Sequence, residues 1–80
     1  MLTNNIKAGA RIRLRNGWMA TVRDNKKGNI RMCEVEGVYT ELGSTYVWDW
    51  AAVQTSEGWR NVTLTLKQQK DRAFVSELVG

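Results

Sequence analysis

The chain has 80 residues, a formal net charge of +4, one cysteine and no histidine. Its length predicts one small domain with a modest core, and its composition excludes an internal disulfide and a standard zinc site, so we expect neither a metal nor a cofactor. No segment approaches the roughly 20 apolar residues that cross a bilayer, and no signal-peptide pattern is present, so we expect a cytoplasmic protein without membrane contact.

The first predicted element is a strand at residues 11–15, where three arginines alternate with one isoleucine and one leucine. A period of two predicts a β-strand with one wet face and one buried face. The Asn16-Gly17 that follows predicts a tight turn into a second strand.

The apolar residues of these two strands fix how they pair. A two-residue loop would place Ala20 on the arginine face, because a slip of one residue inverts a strand. A three-residue loop at 15–17 instead pairs Ile12 with Ala20 and collects the apolar side chains on one side. We therefore predict a bulged turn in which Gly17 is left-handed and Arg15 leaves the strand face.

Glycines divide the rest of the chain into short segments, as in a β-meander or a small barrel. The following elements are predicted: a polar turn at 24–29, strands at about 30–36, 38–42, 45–48 and 60–64, and a single helical turn at 49–53. In the strand at 30–36, Glu34 and Glu36 are expected to face water and Cys33 to be a small buried residue. Ile30 and Met32 contradict this alternation, which indicates a bulge or a second buried surface.

The C-terminal segment has a helical pattern. Thr65 and Gln68 form a T-x-x-Q capping box, in which each side chain satisfies a free backbone N–H group of the other residue. The apolar residues that follow fall roughly on one helical face: Leu66, Ala73, Phe74, Leu78 and Val79. We predict a helix at 66–79 that packs on the sheet or forms an oligomer contact.

Two stretches resemble known proteins. Ala8-Gly9-Ala10-Arg11-Ile12-Arg13-Leu14, with Asn16-Gly17-Trp18 and Ala20-Thr21-Val22, is similar to the opening of SH3-like barrels of the KOW type, although the glycine of the second strand is missing. This resemblance covers about residues 6–36. The stretch from Asp24 to Tyr46 resembles short phage and mobile-element proteins, the pool that includes anti-CRISPR and host-takeover proteins.

Together these patterns predict a mainly β fold in a single domain, residues 1–80. The expected architecture is a small SH3-like barrel, or a five-stranded antiparallel meander, at about 6–64. The C-terminal helix at about 66–79 completes it. A homodimer through this helix or through an edge strand is compatible with the pattern.

Catalysis is disfavoured by the sequence. Without histidine, a general base near neutral pH would need a carboxylate or lysine with a shifted pKa. Lys27-Gly28 lacks the spacing of a phosphate-binding P-loop. We therefore predict a non-enzymatic binding module.

Charge is distributed unevenly along the chain. Residues 1–33 contain eight basic residues and one acidic residue, whereas residues 34–63 contain one basic and five acidic residues. This asymmetry indicates either a basic binding face or two halves that attract each other in the fold.

A nucleic-acid interface is the first functional hypothesis. The candidate phosphate contacts are Arg11, Arg13, Arg15, Lys26, Lys27 and Arg31. The candidate aromatic platform, which could stack bases or contact a protein, is Tyr46, Trp48 and Trp50, because alternating residues of an extended strand share a face. The competing interpretation places the tryptophans in the core and pairs the arginines with Glu34 and Glu36 across the sheet.

The alternative hypothesis is a phage-type inhibitor or adaptor that binds a host protein. Its anchors would be aromatic or methionine side chains, which are enriched in binding hot spots. The candidates are Trp18, Met19, Trp48, Trp50 and Trp59. An acidic surface would face a basic partner through Glu34, Glu36, Glu41 and Asp49.

Overall fold

One six-stranded antiparallel sheet and one C-terminal helix form the protein, for which a computed structural model describes residues 1–79. The strands are β1 (Arg11–Leu14), β2 (Met19–Val22), β3 (Ile30–Glu36), β4 (Thr40–Tyr46), β5 (Trp50–Thr55) and β6 (Gly58–Asn61). The helix α1 spans Leu66–Val79, and 3-10 turns lie at Thr3–Asn5 and Val47–Asp49. The strand order is β4-β3-β2-β1-β5-β6.

The predicted mainly β fold with a C-terminal helix is confirmed, and two details of it are wrong. The sheet has six strands rather than five. It is also open rather than closed into a barrel, because β4 and β6 are edge strands that do not pair with each other. No helix in residues 1–79 combines the length and the apolar content that crossing a membrane requires.

The predicted pairing of β1 with β2 is confirmed. Ile12 lies opposite Ala20, as a three-residue loop requires. Gly17 has a φ of 91°, and its N–H donates to the carbonyl oxygen of Leu14 at 2.9 Å. Arg15 therefore lies in the turn rather than on the strand face.

The region 45–53 differs from its prediction. The strands predicted at 38–42 and 45–48 are one continuous strand, β4, which ends at Tyr46, and the strand predicted at 60–64 lies earlier, as β6. The helical turn lies at Val47–Asp49, and β5 occupies most of the segment predicted as helical. β5 is an interior strand between β1 and β6, and both Ala52 and Val53 are buried. A short apolar run that is buried in this way does not alternate, so its period cannot distinguish a strand from a helical turn.

The core lies on the inner face of the sheet and is built around Trp50. This side chain is fully buried, and its indole N–H donates to the hydroxyl oxygen of Thr45 at 2.9 Å. Cys33 is buried beside it as predicted, and burial raises the pKa of its thiol. The other large buried apolar residues of this cluster are Ile6, Ile12, Leu14, Val22, Val47, Trp48 and Val53.

The helix predicted at 66–79 and its capping box are confirmed, whereas the prediction that its apolar residues pack on the sheet is wrong. The N–H of Thr65 donates to Oε1 of Gln68 at 2.9 Å, and the N–H of Gln68 donates to the hydroxyl of Thr65 at 3.2 Å. Leu66, Phe74 and Leu78 are exposed instead of packed. The side chain of Val79 lies outside the part of the chain that the structure describes, and the alternative of an oligomer contact stays a prediction. The helix attaches through polar side chains, since Gln68 bonds to Gly28 and Thr3 while Asp71 bonds to Asn29.

Candidate nucleic-acid interface

Arg31 lies inside the protein and not on its surface. Its Nε donates to Oδ1 of Asp24 at 2.5 Å, and its Nη2 donates to the carbonyl oxygens of Ile6 and Asp24, each at 2.9 Å. Its guanidinium carbon lies 5.3 Å from the ring centre of Trp50. The guanidinium is fully enclosed, so Arg31 cannot reach a phosphate and does not belong to the predicted phosphate contacts.

Asp24 is the charge partner that makes this burial tolerable. Burial alone would raise the pKa of Asp24, but hydrogen bonds from Arg31 and from the N–H groups of Met32 and Lys26 outweigh it and hold the pKa below its usual value. Asp24 is therefore ionised at neutral pH. Its charge is neutralised internally by Arg31, and a buried charge needs such a partner.

The loop between β2 and β3, residues 23–29, is held from several sides. The N–H of Ala8 donates to Oδ1 of Asn25 at 2.8 Å. At the other end of the loop, the carbonyl oxygen of Gly28 accepts a hydrogen bond from Nε2 of Gln68 at 3.1 Å. The N-terminal segment and the helix α1 thus fix the position of a loop that carries two of the predicted lysines.

Three exposed lysines gather where this loop meets the N-terminal segment. We call Lys7, Lys26 and Lys27 the lysine lobe. Lys7 and Lys26 are the sequence neighbours of Ala8 and Asn25, whose hydrogen bond joins the two segments. Within residues 1–79 none of the three forms an ion pair. Lys7 was not predicted as part of the patch, because its place depends on a contact between distant parts of the chain.

Arg11 and Arg13 lie on the outer face of β1, as predicted, but in different surroundings. Arg11 forms an ion pair with Glu36, while Glu34 pairs with Arg23 at 2.8 Å. The guanidinium carbon of Arg13 lies 4.5 Å from the ring centre of Trp59. The predicted neutralisation across the sheet therefore applies to Arg11, whereas Arg13 stays without a carboxylate among the described residues.

Arg15 is tied to the 3-10 turn at Val47–Asp49. Its backbone N–H donates to the carbonyl oxygen of Asp49 at 2.8 Å, and its Nε donates to that of Trp48 at 2.6 Å. The other end of the same turn is bonded to the loop 23–29, because the N–H of Val47 donates to the carbonyl oxygen of Asn29 at 2.9 Å. Arg15 and the end of the basic loop therefore meet at one short turn.

The predicted aromatic platform is only partly present. Tyr46 and Trp48 stack with ring centres 4.5 Å apart and an angle of 10° between the rings. The 3-10 turn breaks the alternation that would have aligned Trp50 with them, and Trp50 lies in the core. Trp48 is itself mostly buried, so Tyr46 is the exposed member of the stack.

The described residues contain no cluster of acidic, cysteine or histidine side chains that could hold a metal ion. Comparison of the chain with models of protein families, with curated proteins and with solved structures found no match.

Proposed function

We propose that this protein is a non-enzymatic nucleic-acid-binding module, and that its lysine lobe contacts the phosphate backbone. The observation that carries the proposal is the charge of the lobe. Asp24 is the one acidic residue in residues 1–33, and its charge is already matched by the buried Arg31. Two ammonium groups on the loop 23–29 and one on the adjoining N-terminal segment thus remain without an ion-pair partner among the described residues, since Asp71 beside the end of the loop is paired with Lys67.

The physical basis of binding would be the release of counterions from nucleic acid by lysine side chains. Arg15 adds a guanidinium at the neighbouring turn, and Arg13 with the half-exposed Trp59 adds a site where a base could stack. The proposed contacts are to phosphates and to the faces of bases, so the proposed binding is sequence-independent.

The test is binding of fluorescently labelled short DNA and RNA, single- and double-stranded, across a salt series. We expect affinity to fall steeply with salt. The triple variant Lys7→Gln, Lys26→Gln, Lys27→Gln should reduce the slope of log affinity against log salt by about 2–3, because each phosphate contact contributes about 0.9 on duplex DNA.

A matched control removes the same charge elsewhere. Arg60, Lys70 and Arg72 lie exposed on β6 and α1 and make no hydrogen bond to the loop 23–29, so their triple glutamine variant changes the net charge equally without touching the lobe. It should keep most of the wild-type slope. Absence of binding at low salt, or equal slopes for the two triple variants, would refute the proposal.

The alternative of a protein-binding inhibitor or adaptor has less support from the geometry. Of its anchors, Trp50 is enclosed in the core and Trp48 is mostly buried. Of its acidic surface, Glu34 and Glu36 are already paired with arginines of the same sheet. If binding to the labelled DNA and RNA did not weaken as the salt concentration rises, phosphate contacts would be excluded and this alternative would be favoured.

A further inference from the structure

The two edges of the sheet differ in how they are protected. β6 is only four residues long, and the N-terminal residues cover its end and the segment after it: the terminal ammonium donates to the carbonyl oxygen of Asn61, and the N–H of Thr63 donates to that of Met1. β4 pairs with β3 along all seven of its residues, and no described strand pairs with its other side. β4 is therefore an open edge.

The hydrogen-bond phase shows which groups of β4 face this edge. The N–H of Arg23 donates to the carbonyl oxygen of Met32, so even-numbered residues of β3 bond to β2 and odd-numbered residues bond to β4. Two flanking bonds agree with this assignment. The N–H of Gly37 donates to the carbonyl oxygen of Tyr39, the N–H of Val47 donates to that of Asn29, and all four residues are odd-numbered. The free N–H and C=O groups of β4 therefore belong to its even-numbered residues, Thr40, Leu42, Ser44 and Tyr46.

The outer face beside this edge carries several apolar side chains. Tyr46 lies opposite Ile30 and Ser44 opposite Met32. Leu42 lies opposite Glu34, whose charge is paired with Arg23. We call Ile30, Met32, Leu42 and Tyr46 the apolar strip. All four are exposed, and Leu42 reaches 65%. Unpaired backbone beside exposed apolar side chains is the combination by which strands recruit further strands.

We propose that β4 pairs antiparallel with β4 of a second copy, about a two-fold axis at Gly43, to form a homodimer with one continuous sheet. In this register Leu42 lies opposite Ser44 of the second copy, and Thr40 lies opposite Tyr46 of the second copy. Each of these pairs is of the hydrogen-bonded type, so every free N–H and C=O group of the even-numbered residues finds a partner.

The sequence of β4 is self-complementary in this register, which is why a second copy is the occupant. Glu41 lies opposite Thr45 of the second copy and not opposite the other Glu41, so no like charges face each other. Leu42 lies diagonal to both Leu42 and Tyr46 of the second copy, within reach of these side chains. The apolar strips of the two copies thus join across the axis.

Gly43 has no evident role within one copy. Its φ lies outside the left-handed region, and a Cβ added there would meet no atom within 4 Å. At the two-fold axis, however, Gly43 faces itself at a position without hydrogen bonds, where opposing Cα atoms approach most closely. Pairing consumes the open edge, so the assembly closes at two copies.

Sedimentation equilibrium over a concentration series tests this dimer. The mass should rise with concentration from that of one chain towards that of two. Leu42→Lys places like charges diagonally across the axis and should weaken association at least about tenfold. Val38→Lys, which adds the same charge in the exposed turn before β4, should leave association unchanged.

Amide hydrogen exchange tests the register independently of any variant. The N–H groups of Leu42 and Ser44 should be protected only at concentrations where the dimer forms, whereas that of Gly43, bonded to β3, should be protected in both states. A constant monomer mass would overturn the proposal and leave the edge to an extended segment of another protein. A dimer that tolerates Leu42→Lys but is lost in Phe74→Lys would also overturn it, in favour of the helix.

Discussion

Replacing Asp24 with asparagine is expected to lower the free energy of unfolding by about 3–5 kcal/mol, because the variant leaves the buried guanidinium of Arg31 without its counter-charge. The wild-type contact joins Nε of Arg31 to Oδ1 of Asp24 at 2.5 Å, with the arginine side chain fully enclosed and the aspartate 14% exposed. Urea unfolding at neutral pH measures the effect. Asp49→Asn, the same change at an exposed aspartate, should stay within about 0.5 kcal/mol of wild type.

The same contact predicts a pH dependence with a definite sign. Since the pKa of Asp24 is lower in the folded than in the unfolded chain, its contribution to stability is complete above the unfolded pKa of about 3.9. It is lost as the pH falls through the folded pKa. Asp24→Asn should lack this part of the acid dependence. A variant that is as stable as wild type, or that has the same acid dependence, would contradict this account of Asp24.

Replacing Gln68 with alanine should lower the free energy of unfolding by about 2–4 kcal/mol, from a lost helix cap and from buried polar groups left without partners. Oε1 of Gln68 accepts hydrogen bonds from the hydroxyl of Thr3 at 2.6 Å and from the N–H of Thr65, and Nε2 donates to the carbonyl oxygen of Gly28. One side chain thus joins the N-terminal segment, the start of α1 and the loop that carries Lys26 and Lys27.

Gln69→Ala is the matched control, since Gln69 is exposed and only reaches back to the carbonyl oxygen of Leu64. Chemical unfolding should show a change within about 0.5 kcal/mol for this variant. Hydrogen exchange of the folded Gln68→Ala protein should also show weaker protection in the loop 23–29 than in the control. Equal stability of the two variants would mean that the helix does not hold the loop.

Features set by neighbouring residues could be predicted from the sequence. The bulged turn at Gly17 followed from matching the apolar residues of two adjacent strands. The capping box of Thr65 and Gln68 is likewise local. In both cases the partners lie within a few residues, so spacing alone determines the contact.

The position of Arg31 shows where such reasoning fails. Alternation from the buried Cys33 places Arg31 on the inner face and Met32 on the outer face, as the structure shows. Ile30 and Met32 contradict the alternation of this strand only if the charged side chain of Arg31 is assumed to face water. Its burial depends on Asp24, which is a turn residue by sequence, and on carbonyl groups of the N-terminal segment. No periodic pattern encodes that group of partners.

The residues by which α1 contacts the sheet could not be predicted for a related reason: hydrophobic periodicity does not detect a helix that is attached through polar side chains. Gln68, Asp71 and Val75 share one side of α1 through a spacing of three and four residues, and they make or border its contacts with the rest of the protein. Only Val75 among them is apolar. Phe74 and Leu78, which suggested a packing face, remain in solvent.

The pairing of β1 with β5 has a consequence for how the chain folds. Every other strand pair joins neighbours in sequence, whereas Leu14 lies opposite Trp50 across more than thirty intervening residues. Among the strand pairs this one closes the longest loop, and distant pairings are what slow folding. The hairpins can form early and independently, so the union of β1 with β5 is the step that turns them into one cooperative domain.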